Sequence, residues 1–283
     1  MIEPTFLNQI SRFDLVMKKK VLTQYSGERK SENVGEGRIF NDYREYIPGD
    51  DFRQIDWKVY ARTDKYYIKR FEEEKNLTLH VLLDASASMD FGSKTTKYEY
   101  GAMIGLGFAY LASRNNEKFE FSVFSDKMEF IKAKRGKNAL ISIMDFLNTK
   151  KAQGKSHFQE SLTSFKKRLK SRSMIVILSD FLFNAEELEQ TLQLFRKSEV
   201  FVIQVLDPEE LKFSMAGDFL LKDSEEGNII RTFISNRLRS VYRTKLDTHN
   251  ARIKNVCTSM GAKFLTVTTD TPIFDTFYRV LHN

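Results

Sequence analysis

The sequence predicts an α/β fold: a doubly wound, mainly parallel sheet with a small β-rich N-terminal lobe and an inserted β-hairpin. Two observations carry that prediction. Nearly unbroken apolar runs recur at 78–84 (TLHVLLD), 174–180 (MIVILSD) and 200–207 (VFVIQVLD), the mark of strands covered on both faces. Between them lie segments long enough for helices, with apolar residues at helical spacing. Strand alternating with helix implies parallel strands joined by crossovers.

Taken in chain order, residues 1–36 are expected to form a helical N-terminal extension. It opens MIEPTFLNQISRFDLVMKKK, with acidic residues early and no continuous apolar core, so it does not read as a secretory signal. Residues 37–77 change texture: short strand-like pieces, a Pro48-Gly49-Asp50 turn and Trp57 point to a small β-rich lobe. Within it, Arg44, Asp50, Arg53, Asp56 and Arg62 have the makings of an ion-pair network fixing the lobe. Such networks are usually structural, and a docking surface for a partner is the alternative.

Residues 78–283 are expected to form the main domain. The first strand is followed by a helix at 97–115, an alternating strand at 119–124 and helices at 138–148 and 158–169. A helix at 185–197 follows the second buried strand. After the third comes a hairpin at 218–233, where two short apolar stretches flank DSEEGN. A long helix from about 236 to 260, a strand at 263–269 and a closing helix at 272–281 complete the alternation.

Bulk properties narrow the classes. The apolar stretch at 101–113 is too short, and too closely flanked by charge, to span a bilayer. A single cysteine, Cys257, excludes an internal disulfide framework and reads as a small buried hydrophobe on the long helix. The expectation is a cytoplasmic protein. The net charge of +7 raises nucleic acid as a partner, but lysines and arginines are mixed with acids, as in KRFEEEK at 69–75. The denser groups are KKK at 18–20, KAKRGK at 132–137 and KKRLKSR at 166–172, the last resembling the solvated face of a helix. A polyanion binder using the last two groups stays open as an alternative.

The chemistry concentrates at 81–93, VLLDASASMDFGS. A buried strand ends there in Asp84, with Ser86 and Ser88 at every second position after it. In open parallel sheets, sites form outside the carboxyl ends of strands where the strand order reverses. Asp180 closes its own strand in the same way. If the two strands are neighbours at that switch point, both carboxylates point into one crevice. Ser156, in GKSHFQESL at 154–162, offers a third hydroxyl. Carboxylates and hydroxyls are hard ligands that suit Mg²⁺ or Mn²⁺ and not zinc. With only two charges, such a set would hold the ion weakly and leave a position for water or an outside carboxylate.

Three readings compete for this stretch. Taken alone, DASAS also fits helix capping, since Asp and Ser satisfy free backbone N–H groups at strand-to-helix turns. A phosphoaspartate enzyme would want an acid or base two residues after Asp84, where Ser86 stands. A magnesium-dependent phosphohydrolase using Asp84 and Asp180 is therefore the runner-up. GKS at 154–156 is not a P-loop, because position 149 is threonine where that pattern needs glycine. His80, His157, His249 and His282 show no metal spacing with Cys257. His157, next to Ser156, is placed to meet a partner or the crevice, although a loop histidine is more often solvated.

DASASM resembles the DxSxS element of von Willebrand factor A domains, a Rossmann-like class. Ser156 falls where that family usually has threonine, a change that keeps the hydroxyl, and Asp180 matches its third-loop aspartate. The resemblance implies a metal-ion-dependent adhesion site, in which Asp84, Ser86, Ser88, Ser156 and Asp180 hold Mg²⁺ or Mn²⁺ weakly and the ion captures an acidic side chain of a protein partner. REYIPGDDFRQIDWKVYART at 44–63, KRFEEEKN at 69–76, VLDPEE at 205–210 and TTDTP at 268–272 extend the likeness. Together they resemble the bacterial domain-of-unknown-function 58 family. That resemblance implies a non-catalytic adaptor working with a MoxR-type AAA ATPase on protein complexes. Many members carry transmembrane helices before this region, and this chain shows none.

Overall fold

The computed structural model describes residues 2, 5–6, 9–10, 39–72, 78–134, 136–169, 173–225 and 227–282. They divide into two compact units, one of residues 1–15 and 77–283 and the other of 16–76. Most of the extension expected over 1–36 lies outside the described residues. Residues 5, 6, 9 and 10 are helical, and Ile2, Phe6 and Ile10 are buried. The Asn148 side chain holds this end: its amide donates to the Ile2 carbonyl at 3.0 Å and its oxygen accepts from the Ile2 N–H at 2.8 Å.

In the smaller unit, β1 (Ile39–Glu45) pairs antiparallel with β2 (Tyr67–Glu72), and helix α1 (Trp57–Thr63) comes between them in the chain. The aromatic and β-branched residues Trp57, Val59 and Tyr60 favour strands, which is why the segment reads as strand-like. Asp56 decides otherwise, its carboxylate accepting from the Lys58 N–H at 3.0 Å as an N-cap. Of the expected ion pairs, Arg44–Asp50 is present at 2.8 Å. Asp56 accepts from the Tyr43 hydroxyl at 2.9 Å, and Arg53 lies over the Phe52 ring.

The larger unit carries β3 (Thr78–Asp84), α2 (Lys97–Arg114), β4 (Lys118–Phe124), β5 (Met128–Lys134), α3 (Lys137–Thr149), α4 (Phe158–Arg168) and β6 (Met174–Ser179). It continues through α5 (Ala185–Gln193), β7 (Glu199–Leu206), α6 (Pro208–Lys212), the hairpin β8 (Gly217–Lys222) and β9 (Ile229–Ile234), α7 (Asn236–Ser259), β10 (Lys263–Thr268) and α8 (Ile273–His282). The six-stranded sheet runs β10-β7-β6-β3-β4-β5, parallel throughout except for antiparallel β5. β5 was not legible as a strand: it overlaps the basic group at 132–137 and forms the sheet's edge beside β4. Helix α5 stops at Gln193, short of the expected 197, because the chain turns to bury Phe195 before entering β7.

From β3 the chain winds to β4, and from β6 it winds the other way to β7 and β10, so the order reverses between β3 and β6. Their register pairs Leu83 with Leu178, which brings both strands' carboxyl ends level. Helices cover both faces. On one, α2 lies against β3, β4, β6 and β7, with α3 and α8 packed on α2. Gly105 permits the close approach, since a Cβ there would meet the Phe121 ring at 2.7 Å and Val81 at 2.8 Å. On the other face, Leu82, Phe124, Ile175, Ile177 and Val202 pack with Phe158, Leu162, Phe165, Leu188 and Ile253 of α4, α5 and α7. No helix among the described residues is long and apolar enough to cross a membrane.

Candidate functional site

The crevice forms where β3 and β6 end side by side. Asp84 is fully buried at its floor. Its Oδ1 accepts from the Ser86 N–H at 2.9 Å, and its Oδ2 accepts from the Ser179 hydroxyl at 2.7 Å and the Ser156 hydroxyl at 3.1 Å. The Ser86 and Ser88 hydroxyls lie 3.1 Å apart. Ser86 is buried, whereas Ser88 and Ser156 are half-buried and stand nearer the mouth. The five residues singled out from the sequence are therefore brought to one place, with Asp180 as the second carboxylate beside Asp84.

Backbone pairing between two loops sets this arrangement. The Ala87 N–H donates to the Gly154 carbonyl at 2.9 Å, and the Gln153 N–H donates to the Ala85 carbonyl at 2.8 Å. The Asp126 carboxylate accepts from the Lys155 N–H at 2.8 Å and fixes the turn that carries Ser156. Gly154, at φ +83, is required there: a Cβ would sit 2.2 Å from an Asp126 oxygen. His157 is exposed, pairs with Glu160 at 3.6 Å and makes no bond to the crevice carboxylates among the described residues.

Asp180 is held differently. Its Oδ1 accepts from the Leu182 N–H at 3.2 Å, and its Oδ2 pairs with the Lys97 ammonium at 2.8 Å. Lys97 is only 1% exposed and pairs also with Glu210 at 2.6 Å. Gln204 of β7 donates to the Asp180 carbonyl at 3.0 Å, and the His249 ring lies 2.7 Å from the Phe181 carbonyl, which steadies the turn. Phe181 takes a left-handed φ of 51° there, and its N–H donates to the same Ser179 hydroxyl that bonds Asp84. Ser179 thus ties the turn after β6 to the carboxylate at the end of β3.

Sequence reasoning missed Lys97, Ser179, Glu210 and Glu225. A signal existed for Lys97, the first residue of α2. A cation at a helix N-terminus opposes the macrodipole and asks for a local anion. Ser179 follows from the β3–β6 register, which sequence does not give. Glu225 sits in the turn of the hairpin, and its carboxylate accepts from the Ser156 N–H at 3.5 Å.

The electrostatics divide along the same line. Burial, and then the neighbouring charge of Asp180, push the Asp84 carboxyl up to about 6. Burial works against the Lys97 charge, but Asp180 and Glu210 outweigh it and hold the ammonium above its ordinary value. Burial raises Glu210 and Glu225 as well, and the charge of Asp180 adds to both. Among the described residues one buried cation, Lys97, pairs with Asp180 and Glu210. No cluster of three or more His, Cys, Asp or Glu among the described residues is arranged to hold a metal there, so hydroxyls would have to complete any coordination. The donor set is all oxygen, and Asp84 has no cationic partner among the described residues. Both facts fit a hard divalent cation.

The family model described as "Protein of unknown function DUF58" matches residues 42–252. An uncharacterized protein of Mycobacterium tuberculosis, Rv1480, is 24% identical over 273 residues, covering 95% of this chain and 86% of its own length. The uncharacterized protein MAV169 of Mycobacterium avium is 33% identical over 99 residues, 35% of this chain and 59% of its own. Among solved structures, BatB of Bacteroides thetaiotaomicron aligns with a TM-score of 0.47 at 15% identity, over 73% of this chain and 97% of that one. The SpRpn10 VWA domain aligns at 0.41 and 10% identity, over 71% and 93%.

Proposed function

The chain belongs to the DUF58 family of proteins of unknown function, and from that premise we propose that it is a non-catalytic protein-interaction module. The crevice at the ends of β3 and β6 takes Mg²⁺ or Mn²⁺ and, through the ion, an acidic side chain of a protein partner. Asp84, Ser86, Ser88, Ser156 and Asp180 hold the ion, some of them through water. The chemistry a bound cation supplies there is an open position for a carboxylate oxygen. The adaptor role beside a MoxR-type AAA ATPase rests on the family resemblance alone.

One observation carries the metal reading: Asp84 is a fully buried carboxylate ringed by hydroxyls, while the one buried cation nearby among the described residues is committed to Asp180 and Glu210. Burying a charge without a partner is costly, and a divalent cation relieves it. Burial also argues against the phosphohydrolase reading. A nucleophile must meet its substrate, and Asp84 is enclosed with both oxygens already accepting hydrogen bonds.

The test is affinity capture with tagged wild type and Asp84→Ala, each in Mg²⁺ and in EDTA. The proposal expects an AAA ATPase or its client only with wild type in Mg²⁺. The same partners in all four samples would contradict it, as would phosphate-ester hydrolysis by the purified protein that is lost in Asp84→Ala.

A further inference from the structure

The turn of the β8–β9 hairpin is open to solvent on nearly every side. Asp223, Ser224, Gly227 and Asn228 are exposed, and so are Leu220, Ile229 and Phe233 on the strands. Glu225 is the exception. Its side chain turns inward, half-buried, to the Ser156 N–H at 3.5 Å, beside Asp84, whose carboxylate Ser156 also bonds. The turn is built to deliver it. The Asp223 carboxylate accepts from the Glu225 N–H at 2.8 Å, the Gly227 N–H donates to the Asp223 carbonyl at 3.0 Å, and the Asp223 N–H donates to the Asn228 carbonyl at 2.8 Å. A carboxylate brought to two carboxylates already in the crevice gains nothing by charge alone. Its approach makes physical sense where a cation is the object of the site.

We propose that Glu225 is the site's own acidic ligand: the hairpin turn holds its carboxylate against Ser156, from where it moves onto a bound cation and takes the position an outside acidic side chain would otherwise fill. The inference rests on the metal reading above and adds that the site is closed by its own chain. A protein partner then has to displace the hairpin, so the hairpin sets which acidic ligands gain entry. The apolar face of Leu220, Ile229 and Phe233 is exposed and does not hold the turn down, and Glu225 is the turn residue whose side chain meets the crevice.

The experiment uses the full chain with Mn²⁺ as the probe, its binding followed by electron paramagnetic resonance, and amide hydrogen exchange of residues 223–228 with and without Mg²⁺. Glu225→Gln is expected to weaken Mn²⁺ binding about tenfold, at the low end of what loss of one supporting group costs a metal site. It should also abolish the slowing of exchange that Mg²⁺ produces at the Glu225 and Gly227 amides. Ser224→Ala, in the same turn, should change neither. Asp84-dependent Mn²⁺ binding that is equal in wild type and Glu225→Gln, with no metal effect on the turn, would overturn this inference and leave the metal site standing. Absence of Mn²⁺ binding in the wild type would overturn both.

Discussion

Two parallel strands end alike, β3 in Leu82-Leu83-Asp84 and β6 running through Leu178-Ser179 into Asp180, yet their carboxylates are stabilised by different means. Asp180 has a buried ammonium at 2.8 Å and shares it with Glu210. Asp84 has hydroxyls and one backbone N–H, and its carboxyl is pushed up to about 6. The Asp180 side is complete within the chain itself. The Asp84 side is short of positive charge, and that shortage is what a cation from solution would relieve.

The sharpest way to break the comparison is to remove the cation from the complete side. Lys97→Met leaves buried Asp180 and half-buried Glu210 without a cationic partner, a change that costs about 3–5 kcal/mol in comparable buried pairs. Urea unfolding in EDTA should show that loss. A Lys97→Met protein as stable as the wild type would mean that Asp180 and Glu210 are solvated and the two halves are alike.

The second effect comes from titrating the incomplete side. A carboxyl whose folded value, about 6, lies above its unfolded value, 3.8, binds its proton more tightly when folded. The neutral form therefore favours the fold. That stability is fully present below about pH 4 and is lost as pH rises through about 6. A shift of about two units corresponds to about 3 kcal/mol. Without metal, the stability difference between wild type and Asp84→Asn should fall by about that amount between pH 4 and pH 7.5. In saturating Mg²⁺ the fall should shrink or reverse, because the ion binds the ionised form. A difference that is flat with pH in EDTA would show that Asp84 is not desolvated.

The smallest effect tests the loop joining Ser156 to Asp84. Gly154→Ala forces a side chain into a left-handed conformation, which costs about 1–2 kcal/mol, and drives its Cβ against Asp126. Stability should drop by about that much, and the Mg²⁺-induced rise in Tm should drop with it. A full Mg²⁺ response in this variant would show that Ser156 is not needed to hold the ion.

The same contrast marks what was legible in the sequence. β3, β6 and β7 announce themselves because central parallel strands are apolar on both faces; Asp84, Ser86, Ser88 and Asp180 lie where two such strands end, and Ser156 lies in the connection between α3 and α4. β5 is masked by its lysines, and α1 by aromatic residues that favour strands until Asp56 caps a helix. The Asp180 side was missed because its partners depend on tertiary placement. Lys97 meets Glu210 across 113 positions of chain, and Ser179 reaches Asp84 only through strand register. Glu225 needs the hairpin to fold back toward the crevice, which a β-hairpin pattern does not foretell. Charge partners brought together by topology leave little trace in local pattern, apart from oddities such as a lysine at a helix start.

The central claim is that the Asp84 side completes its charge with a divalent cation from solution. It is tested most directly by a crystal structure of the wild-type protein grown in Mn²⁺, with data collected for the anomalous signal of manganese. The account predicts an anomalous peak in the crevice bounded by the Ser86, Ser88 and Ser156 hydroxyls, with Lys97 still paired to Glu210. A crevice without such a peak at millimolar Mn²⁺, with the Lys97 ammonium turned toward Asp84, would contradict it and make Asp84 a structural carboxylate that caps its own loop.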